Sequence, residues 1–203
     1  MSDSGYLVPV RRCVREITVL KSRFIGVLDR VAGSADMEAL VDEVRAAYPR
    51  ASHYCYAFAG GAPGSTANVG LSDDGEPHGT AGQPMLNVLV HGEVGEVGVV
   101  VVRYFGGTKL GKGGLARAYA DATKAVLEEA EVRLDVPTRE LVVIAAYPEV
   151  DHLERLLAEL GVVVEDRQFA ERVTFRLAVP LGQVEELEKR LAGRGIRMDF
   201  PDV

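Results

Sequence analysis

VGVVVVRYFGGTKLGKGGLARAY, residues 97–119, leaves an apolar run, crosses glycines at 106, 107, 111, 113 and 114, and enters a helical pattern. A strand wetted on one side alternates apolar and polar residues. Residues 97–105 do not, so they predict a central strand covered on both faces. GGLARAYADATKAVLEEAE (113–131) predicts a long helix, with Leu115, Ala118, Ala122, Ala125 and Val126 spaced along its buried side. Between Glu96 and Asp121 there is no acidic side chain, whereas Arg103, Lys109, Lys112 and Arg117 all fall there. The junction of strand and helix is therefore both flexible and positive.

Working outward, REITVLKSRFIGVLDRV (15–31) reads as one or two strands from its β-branched and apolar spacing. SADMEALVDEVRAAYP (34–49) reads as a helix capped by Ser34 and stopped at Pro49. SHYCYAFAG (52–60) is a strand that runs into a Gly/Pro/Ser/Thr-rich loop over 60–68, and LSDDGEPHG (71–79) is a turn. TAGQPMLNVLVHG (80–92) predicts a helix, with Thr80 and Gln83 spaced as a capping box and Pro84 in its first turn.

After RLDVPTRE (133–140) the pattern changes. LVVIAAY (141–147), GVVVEDRQF (161–169), RVTFRLAVP (172–180) and IRMDF (196–200) read as strands. PEVDHLERLLAEL (148–160) reads as a helix with Val150, Leu153, Leu156, Leu157 and Leu160 on one stripe, and LGQVEELEKRLAG (181–193) as another. The order β-α-β-β-α-β is the split, ferredoxin-like arrangement. The class is α+β, with one domain over residues 1–135 and a ferredoxin-like domain over 136–203, joined near 134–138.

Of the 203 residues, 47% are hydrophobic and 26% charged, as expected of a soluble globular chain. No apolar run approaches the ~20 residues needed to cross a bilayer, and MSDSGYLVPVRRC (1–13) lacks the apolar core of a secretory signal. Cys13 and Cys55 are too few for a disulfide framework or a thiolate metal site, which points to a reducing cytoplasm, and the lack of a long apolar run to no membrane association. Net charge is −7, divided as −3 over residues 1–135 and −4 over 136–203, so neither half is a general coat for nucleic acid.

Three groups of residues can carry chemistry. Gly106, four residues, Gly111 and Lys112 approach the P-loop pattern, but Gly113 stands where a magnesium-holding hydroxyl belongs. Gly111, Gly113 and Ala116 imitate a dinucleotide fingerprint, without the short loop or the acidic residue for the ribose. What remains is a cradle for phosphate or a phosphodiester: Gly106, Gly107, Gly111, Gly113 and Gly114 for close backbone approach, a helix N-terminus, and Arg103, Lys109, Lys112 and Arg117 for charge. The plainer reading is a tight turn whose cations pair with the protein's own acids.

The second group is Asp73, Asp74, Glu76 and His78. Their spacing matches no dedicated cation loop, so pairing within the protein is expected and no metal or cofactor is. The third is His53 and Cys55, two apart on a strand and hence on one face, with Tyr54, Tyr56 and Phe58 on the other. A Cys–His pair suggests nucleophilic catalysis; side-by-side placement without an orienting third group favours Cys55 as core.

KSRFI (21–25), HYCYAF (53–58), SDDGEPHGTAGQPML (72–86) and VVVVRYFGGTKLGKGGLARAY (99–119) together resemble the YigZ/IMPACT family, in its order and spacing. The resemblance implies an N-terminal domain of the ribosomal protein S5 domain 2-like fold and a ferredoxin-like tail as in bacterial members. Both are similar to domains of elongation factor G. It also implies a link to translation, since eukaryotic members regulate translation under amino-acid starvation. They restrain an initiation-factor kinase by competing for its ribosome-associated activator.

Two functions follow from these readings. One is a non-enzymatic, translation-associated regulator, active in a stress response. It would bind RNA, the ribosome, a translation factor or another phosphate-containing ligand through the glycine loop, with His53, Asp73, Asp74, Glu76 and His78 at the rim. The other is a hydrolase or phosphate-ester enzyme drawing on those rim residues, with no catalytic residue singled out. It requires a concavity where the acidic turn, the His53 strand and the glycine loop converge. A protein–protein adaptor would instead expose a broad apolar patch.

Overall fold

The structure, a computed structural model, describes residues 5–193 and 195–199. Residues Tyr6–Asp135 form one unit. In it, β1 (Tyr6–Pro9), β2 (Cys13–Val19) and β3 (Ser22–Arg30) precede α1 (Ser34–Ala47), and β4 (His53–Ala59) and β5 (Val69–Ser72) precede α2 (Gly82–Val90). Strand β6 (Val97–Tyr104) then leads into α3 (Gly111–Glu129) and β7 (Val132–Asp135). Five strands make an antiparallel sheet in the order β2-β3-β6-β4-β5, with β6 in the middle.

The valine run is buried on both sides because helices cover both faces. Val97, Val99 and Val101 face α2 and α3, while Val100 and Val102 face α1. The same alternation in β4 sends Cys55, Ala57 and Ala59 to the first face and Tyr54 and Phe58 to the second. At ~25 cal/mol per Å² of apolar surface removed from water, this two-sided burial is the main force holding the layers together.

A second unit contains β8 (Thr138–Ala145), α4 (Val150–Glu159), β9 (Val163–Phe169), β10 (Val173–Pro180), α5 (Val184–Leu191) and β11 (Arg197–Asp199). Its antiparallel sheet runs β11-β8-β10-β9, the ferredoxin-like order. Leu141, Val143 and Ala145 meet Leu153, Leu156 and Leu157 of the expected stripe, together with Leu187 of α5. Phe200, at the end of the last expected strand, lies outside the described residues.

Several local expectations change. Residues 132–135, expected near a junction, form β7 and pair antiparallel with β1. Ser34 does not cap α1: Gly33 holds that position, and the Asp36 carboxylate folds back to accept the Ala32 amide. Thr80 and Gln83 form no capping box, because the Thr80 hydroxyl donates to the Pro77 carbonyl and the Gln83 amide to Asn87. Helix α3 begins at Gly111, two residues early, and buries Tyr119 and Thr123, while Ala125 is only partly covered. Among the described residues no helix is long and apolar enough to cross a membrane.

Candidate functional site

Strand register sets the first two functional side chains. On the face under α3, Arg103 of β6 lies between Phe24 of β3 and His53 of β4 as direct cross-strand partners. Neighbours of this kind have Cβ atoms ~5 Å apart, so the sheet itself holds His53 beside Arg103.

Above them sits the acidic turn, and each of its carboxylates has a different internal task. Asp73 accepts the amides of Gly79, Ala81 and Gly82 at 2.7, 3.0 and 2.9 Å, capping α2 from a distance in place of a local side chain. Burial by itself would raise its pKa, but these three donors outweigh burial and hold the carboxyl below the ordinary aspartate value. Asp74 takes Arg45 of α1 at 2.6 Å and the Tyr54 amide at 2.7 Å. Glu76 is turned inward and only 8% exposed, accepting Arg103 Nη1 at 2.6 Å and the Tyr119 hydroxyl at 2.8 Å through one oxygen. His78 is solvent-exposed, with Nδ1 3.7 Å from Asp73. No group of three or more His, Cys, Asp or Glu able to hold a metal occurs among the described residues.

Cys55 belongs to the core. It is fully buried, with Sγ 3.0 Å from the Asp73 carbonyl and 3.3 Å from the Tyr119 hydroxyl, and burial pushes its pKa up to about 12. A thiol held that far from ionisation is no nucleophile at neutral pH. Burial likewise raises the Tyr119 phenol, which serves as a donor to Glu76. The His53 Nδ1 lies 2.8 Å from the Asp74 carbonyl, which can only accept, so Nδ1 carries the proton and Nε2 faces Glu76 at 3.9 Å.

These elements enclose a cavity of about 580 Å³. His53, Glu76 and Arg103 form its polar side, Phe105, Leu110, Leu115 and Pro77 its apolar walls, and Lys109, Gly111 and Lys112 its glycine-loop side. Arg117 is exposed on α3 and, like Asp73, Asp74 and His78, is outside this lining. Tyr119, which donates to Glu76, and Phe105 and Ser52, which line the cavity, are participants that residue spacing does not single out.

Two features of the glycine loop separate structural need from spare capacity. Gly106 is a steric necessity, since a Cβ there would sit 2.0 Å from the Lys21 backbone, and its amide donates to buried Ser22 at 3.1 Å. Gly113 has no such reason: a Cβ would meet nothing within 4 Å, and the residue lies in regular helix. Glycine there costs ~1 kcal/mol relative to alanine.

The charges are equally uneconomical. Lys109 and Lys112 flank the positive end of α3, whose first turn has no acidic residue, and neither makes an ion pair among the described residues. A cation at that end disfavours the helix by ~0.3–1 kcal/mol. Unlike Arg103, these two lysines are not neutralised by the acidic turn. Lys109, Gly111 and Lys112 line the cavity where the unpaired N-terminal amides of α3 begin, an arrangement suited to an anion.

Residues 20–127 match the Impact N-terminal domain family, and residues 143–194 match a domain of unknown function, DUF1949. An IMPACT family member from Escherichia coli K12, YigZ, is 37% identical over 188 residues, covering 93% of this chain and 92% of its own length. The chain belongs to the IMPACT family. A further IMPACT family member, YvyE of Bacillus subtilis, is 35% identical over 164 residues, covering 81% of this chain and 75% of its own. A solved structure described as a hypothetical protein superposes with a TM-score of 0.72 at 34% identity, covering 98% of both chains. In this IMPACT chain the α+β fold is thus an Impact N-terminal domain followed by a ferredoxin-like one. Three of its family stretches line the cavity, through His53, through Glu76 and Pro77, and through Arg103, Phe105 and residues 109–112 and 115. The fourth supports it: Ser22 accepts the Gly106 amide and Phe24 is the cross-strand partner of Arg103.

Proposed function

We propose that this IMPACT-family chain is a translation-associated regulatory protein that binds RNA, including RNA presented by the ribosome, through the mouth of the cavity. One observation carries the reading: Lys109 and Lys112 stand at the N-terminus of α3 without an ion-pair partner among the described residues, in a protein of net charge −7. Their placement weakens the fold slightly and suits a phosphate. The surrounding acidity repels polyanions elsewhere, which favours one site over general coating. The link to translation is what the family resemblance adds.

The test is the affinity for single-stranded RNA across a salt series, for the wild type and for Lys109→Ala/Lys112→Ala. Each phosphate neutralised contributes about −0.7 to the log–log salt slope on single strands, so losing both lysines should flatten it by about 1.4. Equal affinity and slope in the two proteins would refute the reading.

A phosphate-ester enzyme is the second reading, favoured by the convergence of His53, Glu76 and Arg103 with the glycine loop on one cavity. It requires turnover of a phosphomonoester that His53→Ala abolishes. The binding reading expects no turnover by either protein.

A further inference from the structure

The cavity is more selective than an RNA-binding mouth needs to be. Arg103 is only 6% exposed, and Glu76 occupies Nη1 alone. Nε is buried and without a partner, and Nη2 makes no hydrogen bond among the described residues. Nε and Nη2 form the edge that gives two parallel N–H bonds to a phosphate or carboxylate. Of these two, Nε is sealed from solvent, so Nη2 is the donor that this cavity-lining residue keeps free for a ligand.

Three properties of the cavity define what fits. First, depth: the backbone of a duplex is a continuous ridge, and a guanidinium so nearly enclosed is out of its reach. Only an inserted group meets it. Second, charge: the Arg103–Glu76 pair cancels, leaving the two positive charges of Lys109 and Lys112. A phosphate monoester is close to a dianion at neutral pH, whereas each phosphodiester carries one charge. Third, the remaining wall is apolar, and Phe105, 51% exposed, presents an aromatic ring beside Arg103, whose guanidinium carbon lies 5.6 Å from the ring centroid. Flat rings of nucleobases stack on such side chains when they are not stacked on each other. A volume of about 580 Å³ falls in the range of small-ligand sites, ~300–1,000 Å³.

From this geometry we infer that the cavity takes a terminal nucleotide: a 5′-phosphate monoester held by Lys109, Lys112, the α3 amides and Arg103 Nη2, with its base unstacked against Phe105. The inference deepens the RNA reading and rests on it for the source of the nucleotide. The same chemistry is offered by a free nucleoside monophosphate.

The experiment compares a short single-stranded RNA bearing a 5′-phosphate with the same RNA bearing a 5′-hydroxyl, and adds adenosine 5′-monophosphate and adenosine as competitors. The phosphorylated RNA should bind at least about tenfold more tightly, a loss expected when charge-assisted bonds are removed. The monophosphate should displace it, and adenosine should not. Phe105→Ala, a change at a half-exposed side chain, should weaken the monophosphate while leaving inorganic phosphate binding unchanged. Arg103→Lys should weaken both phosphate-bearing ligands.

If both RNAs bind equally and the monophosphate does not compete, the terminal-nucleotide inference is overturned while RNA binding stands. If the monophosphate binds and neither RNA does, the inference stands for a free nucleotide and the RNA reading fails. If none of them binds, both are overturned.

Discussion

Arg103 Nη1 and Glu76 Oε1 meet at 2.6 Å, and Nε of the same guanidinium is buried without a hydrogen-bond partner among the described residues. Glu76 also accepts the Tyr119 hydroxyl, whose ring stands edge-on to Phe24 with centroids 5.3 Å apart. The acidic turn, the central strand and helix α3 are tied together at this one carboxylate.

Removing the carboxylate leaves a buried, uncompensated guanidinium. Glu76→Ala should therefore cost about 3–5 kcal/mol of stability in chemical denaturation. Replacing both partners by apolar residues, Glu76→Leu with Arg103→Met, should cost clearly less than Glu76→Ala alone. A loss under about 1 kcal/mol for Glu76→Ala would mean that the pair is not sealed as described.

Asp73 offers a pH signature. Its carboxyl is held below the ordinary aspartate value in the folded state, so its contribution is present above that value and is lost as pH falls through the folded-state pKa. Asp73→Ala should cost about 1–2 kcal/mol at pH 7 by orphaning the α2 amides. The gap between wild type and variant should hold from pH 7 to 5 and close as pH drops below ~4. A gap of equal size at pH 7 and pH 3 contradicts the capping role.

The layers of this fold are legible from spacing alone. Four consecutive valines announce β6 as a strand covered twice, and the Leu153, Leu156, Leu157 stripe announces α4. What spacing does not carry is any interaction between residues far apart in the chain. Asp73 caps a helix that starts nine residues later, which no local capping pattern encodes, whereas Thr80 and Gln83 match such a pattern without forming it. Strands β1 and β7 are four residues each, too short for a periodic signal, and are fixed by pairing across the whole domain. At the site, residue types and approximate place were readable, but not the division of labour. Arg103 and the two lysines form one cluster in sequence; in space the first is spent on Glu76 and the others are not.

Gly113 separates folding from binding. An alanine there meets no neighbour and suits a helix better, so Gly113→Ala should stabilise the protein by ~0.5–1 kcal/mol. Gly113 is the exposed third residue of α3, next to the cavity-lining Lys112, so a methyl group beside the amides proposed to hold the phosphate should lower affinity for a phosphate-bearing RNA. Unchanged affinity in a stabilised variant would assign the glycine no part in binding.

The most direct measurement is a titration of ¹⁵N-labelled protein with 5′-phosphorylated single-stranded RNA, followed through the backbone amide signals. The amides of Gly111, Lys112 and Gly113 should move first and furthest, with the Arg103 Nε–H signal following, and Lys109→Ala/Lys112→Ala should suppress the response. Saturable shifts elsewhere, with residues 109–114 unmoved, would contradict an anion site at the start of α3.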